Sequence, residues 1–352
     1  MNRGFWSTLK KDKLGMFGLF IFVLFFVIAV LGVILTSGRN PIFNPSMIRL
    51  EEKLKPPFSH ANTKVLSPEQ IPPFGIYILG TDELGRDVFS RMLQGAWVSL
   101  TVGFVAVGIS VAIGIVIGGI AGYFGHYYIK TYHALLFCLF LTAVFFFAEK
   151  KWGLFFGTVA LFLLFSHHKE KSTFLKKGII SVDSLITGVI DVMLCFPSFF
   201  LILTIVAFIP GSLYSIMIVI GLTSWMGTAR FVRAEFLSLR EQDFVQAAKA
   251  LGVSEFRIIF RHMVPNAIAP VLVSATLGIA SAILTEAGLS FLGFGVPPPH
   301  ATWGNILADG KQYLFDAPWL TFVPGIAILI VVLSFNLFGE ALRDALNPRL
   351  RY

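Results

Sequence analysis

Long apolar runs alternate with short charged connections along most of this chain. Residues 14–35 carry no charge and follow Lys10, Lys11 and Lys13. As a helix such a run crosses a hydrocarbon core of about 30 Å, and the lysines put its start on the cytoplasmic side. A cleaved signal peptide is the competing reading. The run is longer than an ordinary h-region and no A-x-A pattern follows it, so an uncleaved first span is expected. From residue 36 to about 94 the chain is polar and rich in proline (Pro41, Pro45, Pro56, Pro57, Pro68, Pro72, Pro73), which argues for an external loop without long helices. In a second run, 97–123, Gly114, Gly118 and Gly122 recur every four positions. Either they bare one helical face for another helix, or they reflect the frequency of glycine in spans.

Two shorter segments, 132–148 and 152–165, are separated by Glu149, Lys150 and Lys151 and followed by a basic stretch, 167–177. Both lie near the lower length limit of a span, so the hairpin they predict either crosses the membrane or is embedded without crossing. Runs at 184–209, 213–229, 267–294 and 318–338 bring the candidate spans to eight. The connection 231–266 holds Arg233, Arg240, Lys249, Arg257 and Arg261, and the end holds Arg343, Arg349 and Arg351, whereas 295–317 has only Lys311. This asymmetry places both termini and the 231–266 loop in the cytoplasm.

Composition agrees: of 352 residues 56% are hydrophobic and 14% charged, with a mean hydropathy of +0.78, so lipid is the expected solvent. The net charge of +8 comes from bases beside apolar runs, not from a basic stripe with interleaved aromatics, and no nucleic-acid partner is expected. Cys138 and Cys195 sit in apolar runs and offer neither a disulfide framework nor a CxxC site. His60, His126, His133, His167, His168, His262 and His300 are scattered, so no metal site is expected. Residues 304–311 resemble a phosphate loop only superficially, because Gln312 stands where Ser or Thr is required. The chain itself is not expected to bind ATP or any other cofactor.

The connection 231–266 is helical in pattern yet too charged for lipid. Phe236, Leu239, Phe244, Ala247, Ala248 and Leu251 recur at helical spacing, with Arg240, Glu241 and Lys249 off that face. Gly252 breaks the pattern, and a second short helix, 254–262, is expected to end before Pro265. Two helices hinged at a glycine make a knob, suited either to a groove on a soluble partner or to the lipid interface.

The run Gln246-Ala247-Ala248-Lys249-Ala250-Leu251-Gly252, with His262, Val264 and Pro265 downstream, resembles the EAA loop of permease subunits in binding-protein-dependent ABC importers. Gln246 stands where that family usually has Glu, and Val264 where it often has Leu. Leu79-Gly80-Thr81-Asp82-Glu83-Leu84-Gly85-Arg86-Asp87, Leu289-Ser290-Phe291-Leu292-Gly293-Phe294-Gly295, Trp303-Gly304-Asn305 and Leu342-Arg343-Asp344-Ala345-Leu346-Asn347-Pro348-Arg349 are similar to the C-type permease of dipeptide, oligopeptide and nickel importers. The resemblance implies an all-α type I importer fold of six spans, so the hairpin at about 126–181 is an insertion bringing the membrane segments to about eight. It implies an N-terminal span with its external loop (1–95) and a permease domain (96–350). It also implies a bacterial inner-membrane location and an ATPase-docking loop of Asp243, Phe244, Ala247, Ala248, Gly252, Arg257, His262 and Pro265. The implied partners are a second homologous permease, a pair of ATP-binding subunits carrying ATP and Mg, an extracytoplasmic solute-binding protein and membrane lipid.

Glu286 falls inside an apolar run and is expected to face the protein interior, as part of a solute path or gate or as a tie between helices. Asp191, near Pro197, is expected to be structural. The reading is a transport subunit working by alternating access, not an enzyme. A secondary transporter driven by an ion gradient is the rival, though no internal repeat supports it. An intramembrane enzyme would need a nucleophile with its base, and none is evident.

Overall fold

The computed structural model describes residues 9–38, 40–130, 136, 139–140, 142–143, 145–147, 149–168 and 178–346, with side chains for all but 164–168. In chain order the helices are α1 (Lys13–Thr36), α2 (Val88–Phe124), α3 (Trp152–His168), α4 (Val182–Cys195), α5 (Ser198–Phe208), α6 (Leu213–Thr223) and α7 (Trp225–Arg240). They continue as α8 (Asp243–Ala250), α9 (Glu255–Arg257), α10 (Val264–Phe291), α11 (Trp303–Gly310) and α12 (Trp319–Leu346). The architecture is predominantly helical but not purely so. β1 (Ser59–His60) pairs antiparallel with β2 (Ile76–Tyr77), and β3 (Tyr128–Lys130) pairs antiparallel with β4 (Gly178–Ser181), closing the base of the predicted insertion.

Among the described residues five helical stretches are long and apolar enough to cross a membrane: α1, α2, Leu213–Arg240, Glu255–Phe291 and α12. The predicted span 184–209 is instead the pair α4 and α5, bent by 83°. Pro197 explains the break, since its ring disfavours a helical conformation in the preceding residue and it has no amide to donate. Counted as one span, the pair brings the total among the described residues to six, matching the six predicted outside the hairpin. Of the predicted hairpin, α3 is present as a shorter apolar helix, while most of 132–148, with His133 and Cys138, lies outside the described residues. So do 169–177, Asn347-Pro348-Arg349 and Arg351, and the side chains of His167 and His168.

Two helices outrun their apolar patterns. α2 starts at Val88, inside the stretch predicted to lack long helices, because Asp87 caps it by accepting from the Ser90 amide at 3.0 Å. α7 continues to Arg240, since helical hydrogen bonding needs no hydrocarbon around it.

The chain forms two compact units, one of residues 1–115, 196–231 and 266–352, the other of 116–195 and 232–265. In the first, α1 packs along α12. A Cβ built on Gly18 would lie 2.8 Å from the Ser334 carbonyl oxygen and 2.9 Å from Leu337 Cβ, and Phe22 meets Phe335 at 5.0 Å between ring centroids. Farther along, Gly32 lies against the Leu93 carbonyl and Gly114 against Thr228. Close approach at small residues is how helices associate where no hydrophobic effect separates them from their solvent. In the second unit Gly122 does the same for α7, as its absent Cβ would lie 2.5 Å from Phe236 Cβ and 2.8 Å from the Arg233 carbonyl oxygen.

Overpacking at such a contact costs about 1–3 kcal/mol. Gly18→Leu is therefore expected to lower the thermal midpoint of the detergent-solubilised protein. Gly157→Leu on α3, where a Cβ meets nothing within 4 Å, is expected to leave it unchanged.

Candidate functional site

The glycine-hinged loop belongs to the second unit. α8 ends in a Schellman motif: the Val253 amide donates to the Ala248 carbonyl at 3.1 Å and the Gly252 amide to that of Lys249 at 3.0 Å, with Gly252 at φ +72°. The chain then enters α9, and a π turn, Ile258–Met263, carries it directly into α10. The second short helix predicted to stop before Pro265 is therefore the first part of the next span. The π turn lets the helix pass Pro265, since a widened turn relieves the clash of the ring with the preceding turn.

The predicted apolar face is divided. Phe236, Leu239 and Ala248 are buried, as are Val245, Ile258 and Met263, which seat α8 against the π turn. Phe244, Ala247 and Leu251 face outward with Phe256, Phe260, Asp243 and Arg257. His262 is half-buried in the π turn, and Pro265 is exposed in the first turn of α10. The result is a knob with an apolar exterior, Leu251 being 83% and Phe256 72% exposed. Three side-chain contacts fix its base. Arg233 on α7 forks onto Asp183 at the start of α4, with Nη2 at 2.6 Å from Oδ2. Lys249 Nζ sits 5.1 Å from the centroid of the Tyr123 ring. The Gln246 side-chain amide donates to the Arg240 carbonyl at 2.9 Å, tying α8 to the end of α7. Glutamate, usual at this position in the resembling family, has no proton to donate there when ionised.

Parts of the other motifs, among them Glu83, Arg86, Ser290, Gly293, Gly295 and Asn305, line a cleft of about 710 Å³ in the first unit. Asp82, fully buried, accepts from the Leu84 and Arg86 amides at 2.9 Å, from Arg86 Nε at 2.7 Å and from Arg91 Nη1 at 2.6 Å. Arg91 and Arg86 also reach Asp309 on α11, at 2.8 and 3.2 Å. Gly85, at φ +69°, admits the Arg49 carbonyl where any Cβ would collide with it at 1.8 Å. Gly293 closes α10 with a second Schellman turn, in which the Phe294 amide donates to the Leu289 carbonyl at 2.8 Å. Trp303 and Asn305 lie in the capped start of α11, so the stretch resembling a phosphate loop is a helix. Burial raises the Asp87 carboxyl above its usual range although Ser90 donates to it, and pushes the Tyr77 phenol up to about 12. The Tyr313 phenol is raised by its hydrogen bond to the Glu83 carboxylate.

Glu286 is fully buried within α10. It accepts from Ser290 Oγ at 2.7 Å and from Ser99 Oγ on α2 at 3.4 Å, while Ser99 in turn accepts from the Trp303 amide at 3.2 Å. Of the two expected roles, these contacts favour the tie between helices. Asp191 is exposed on α4. Among the described residues no group of three or more His, Cys, Asp or Glu is placed to hold a metal ion. Asp309 and Asp183 were not singled out in the sequence, since the arginines they pair with come from distant segments.

Residues 180–352 match the family described as binding-protein-dependent transport system inner membrane component, and residues 2–57 match the N-terminal TM domain of oligopeptide transport permease C. The dipeptide transport system permease protein DppC of Alkalihalophilus pseudofirmus is 35% identical over 345 residues, 98% of this chain and 89% of that protein. The oligopeptide transport system permease protein OppC of Bacillus subtilis is 31% identical over 342 residues, 97% and 88% of the two chains. DppC of Haemophilus influenzae is 30% identical over 347 residues, 99% and 94%. Fold and relatives together define a multi-pass transport subunit rather than an enzyme. The chain belongs to the inner-membrane permease family of binding-protein-dependent transport systems, as a permease component of the peptide ABC importers.

Removing one member of a buried ion pair costs roughly 3–5 kcal/mol, because its partner stays buried and unmatched. Arg91→Met is therefore expected to lower the thermal midpoint of the solubilised protein markedly. Arg91→Lys is expected to rescue only part of this, since an ammonium can stand for Nη1 between Asp82 and Asp309 but has no second arm for Asn305 Oδ1, which Nη2 meets at 3.4 Å.

Proposed function

We propose that this chain is a transmembrane subunit of an ATP-driven importer of dipeptides or oligopeptides in the bacterial cytoplasmic membrane. The bases of the 231–266 connection put that loop and both termini in the cytoplasm. There a pair of ATP-binding subunits, carrying ATP and Mg, receives the knob of Asp243, Phe244, Ala247, Ala248, Gly252, Arg257, His262 and Pro265. A second homologous permease completes the pathway, and a solute-binding protein delivers cargo from outside. ATP binding closes the ATPases, their movement reaches α7 and α10 through the knob, and the spans alternate their access. The cargo class rests on what the relatives are named to transport. Glu286 serves to tie α2 to α10.

The observation that carries this reading is the outward display of Leu251 and Phe256, 83% and 72% exposed, on a knob whose own core is filled by Val245, Ile258 and Met263. Apolar side chains held out by a well-packed support are a docking surface. The hinge tests it. A Cβ on Gly252 meets nothing within 4 Å, so substitution there acts through φ +72° alone. That conformation costs a β-branched residue about 1–2 kcal/mol and asparagine less. In the reconstituted complex Gly252→Val is expected to cut peptide uptake roughly tenfold, the factor equivalent to about 1.4 kcal/mol, while ATP hydrolysis persists. Gly252→Asn is expected to keep both. Parental uptake by the valine variant would contradict the proposal.

A further inference from the structure

Within the first unit a pocket of about 140 Å³ lies among α2, α6, α7 and α10. That is room for about four waters at ~30 Å³ each. Its walls include Ala106, Gly278 and Ala282, and it is lined by six hydroxyl side chains, Ser110, Ser224, Thr228, Ser274, Ser281 and Thr285, with no charged residue. Such a lining is unusual inside an apolar span, where a hydroxyl commonly bonds back to its own helix. Thr285 does so, donating to the Ser281 carbonyl at 2.8 Å, and Thr228 and Ser274 lie 3.3 Å apart across two helices. Ser110 is 4% exposed and lines the pocket.

The break in the span Leu213–Arg240 points to the same place. Ser224, between α6 and α7, leaves the helical conformation at φ −111° and ψ 0°, and it lines the pocket. Non-helical backbone at membrane depth persists only where it is buried in protein or faces a polar cavity. Ser224, Gly227 and Ser281 are exposed, so the pocket opens at the surface of this chain, whereas Ser110 and Thr228 form its buried end.

We infer that this pocket is where the subunit holds the main-chain amides of a peptide in transit, an inference that rests on the peptide-importer reading above. Each hydroxyl both donates and accepts, so the lining satisfies N–H and C=O groups alike. With no charge and little volume it reads the main chain and leaves side chains unread.

The test uses the importer complex reconstituted in liposomes and a transported tripeptide, beside the same tripeptide methylated on its central amide nitrogen. Ser110→Ala and Ser281→Ala are expected each to raise KM for the tripeptide roughly fivefold, the effect of one neutral hydrogen bond. They are also expected to narrow its preference over the methylated analogue and to leave the thermal midpoint of the complex unchanged. In a background carrying Cys138→Ala and Cys195→Ala, Ser281→Cys is expected to react with a hydrophilic maleimide and to be protected by the tripeptide. Parental KM and preference in both alanine variants, or labelling that the tripeptide does not slow, would overturn this inference alone. Absence of ATP-driven tripeptide uptake by the parent complex would overturn the importer reading with it.

Discussion

A knob between two spans moves them only if the helices at its base are fixed, and the contact that fixes them is the seating of α7 on the bare backbone of Gly122. Phe236 and the Arg233 carbonyl occupy the space a Cβ would need there. Lipid gives helices no hydrophobic reason to associate, so such close packing, with interhelical hydrogen bonds, must hold them. The forked pair of Arg233 with Asp183 and the Lys249 ammonium over Tyr123 add directional contacts around the same point. The surface displayed above this base follows from it, because a packed support leaves Leu251 and Phe256 no protein surface of their own to cover them.

The acidic and basic cluster of the first unit works by a related logic. Asp82 is too buried to be left alone, and the Arg86 and Arg91 guanidinium groups that match it are matched in turn by Asp309. This closes a network between the start of α2 and α11, two segments more than 200 residues apart for Arg91 and Asp309. Glycines at 80 and 85 and the cap at Asp87 turn the chain so that both arginines point the same way. The motif residues Asp82 and Arg86 are here occupied with holding this network together.

Much of this was legible in the sequence. The runs 14–35, 97–123, 267–294 and 318–338 each lie largely within a long helix, because in lipid the backbone must satisfy itself and apolar length alone reports a span. The turn at Gly252 was readable as a break in helical spacing, and the left-handed φ there is the reason glycine occupies it. Periodicity misled in two places. It gave no sign of the 83° bend at Pro197 within 184–209, and it placed Phe244 and Leu251 on one face with Phe236, whereas α7 ends at Arg240 and α8 begins at Asp243. It also missed the short ladders β1–β2 and β3–β4, since two to four residues are too few to show alternation. Asp309 was invisible for another reason: its meaning lies in two arginines far away in the chain.

The central claim is that the apolar surface around Gly252 is covered in the working complex by an ATP-binding subunit. The most direct measurement places a photo-crosslinking amino acid at Phe256, and separately at Leu251, in the complete importer in native membranes and identifies the adducts by mass. The account predicts an adduct with the ATP-binding subunit at both positions. Adducts with lipid alone, or none with any ATP-binding subunit, would contradict it.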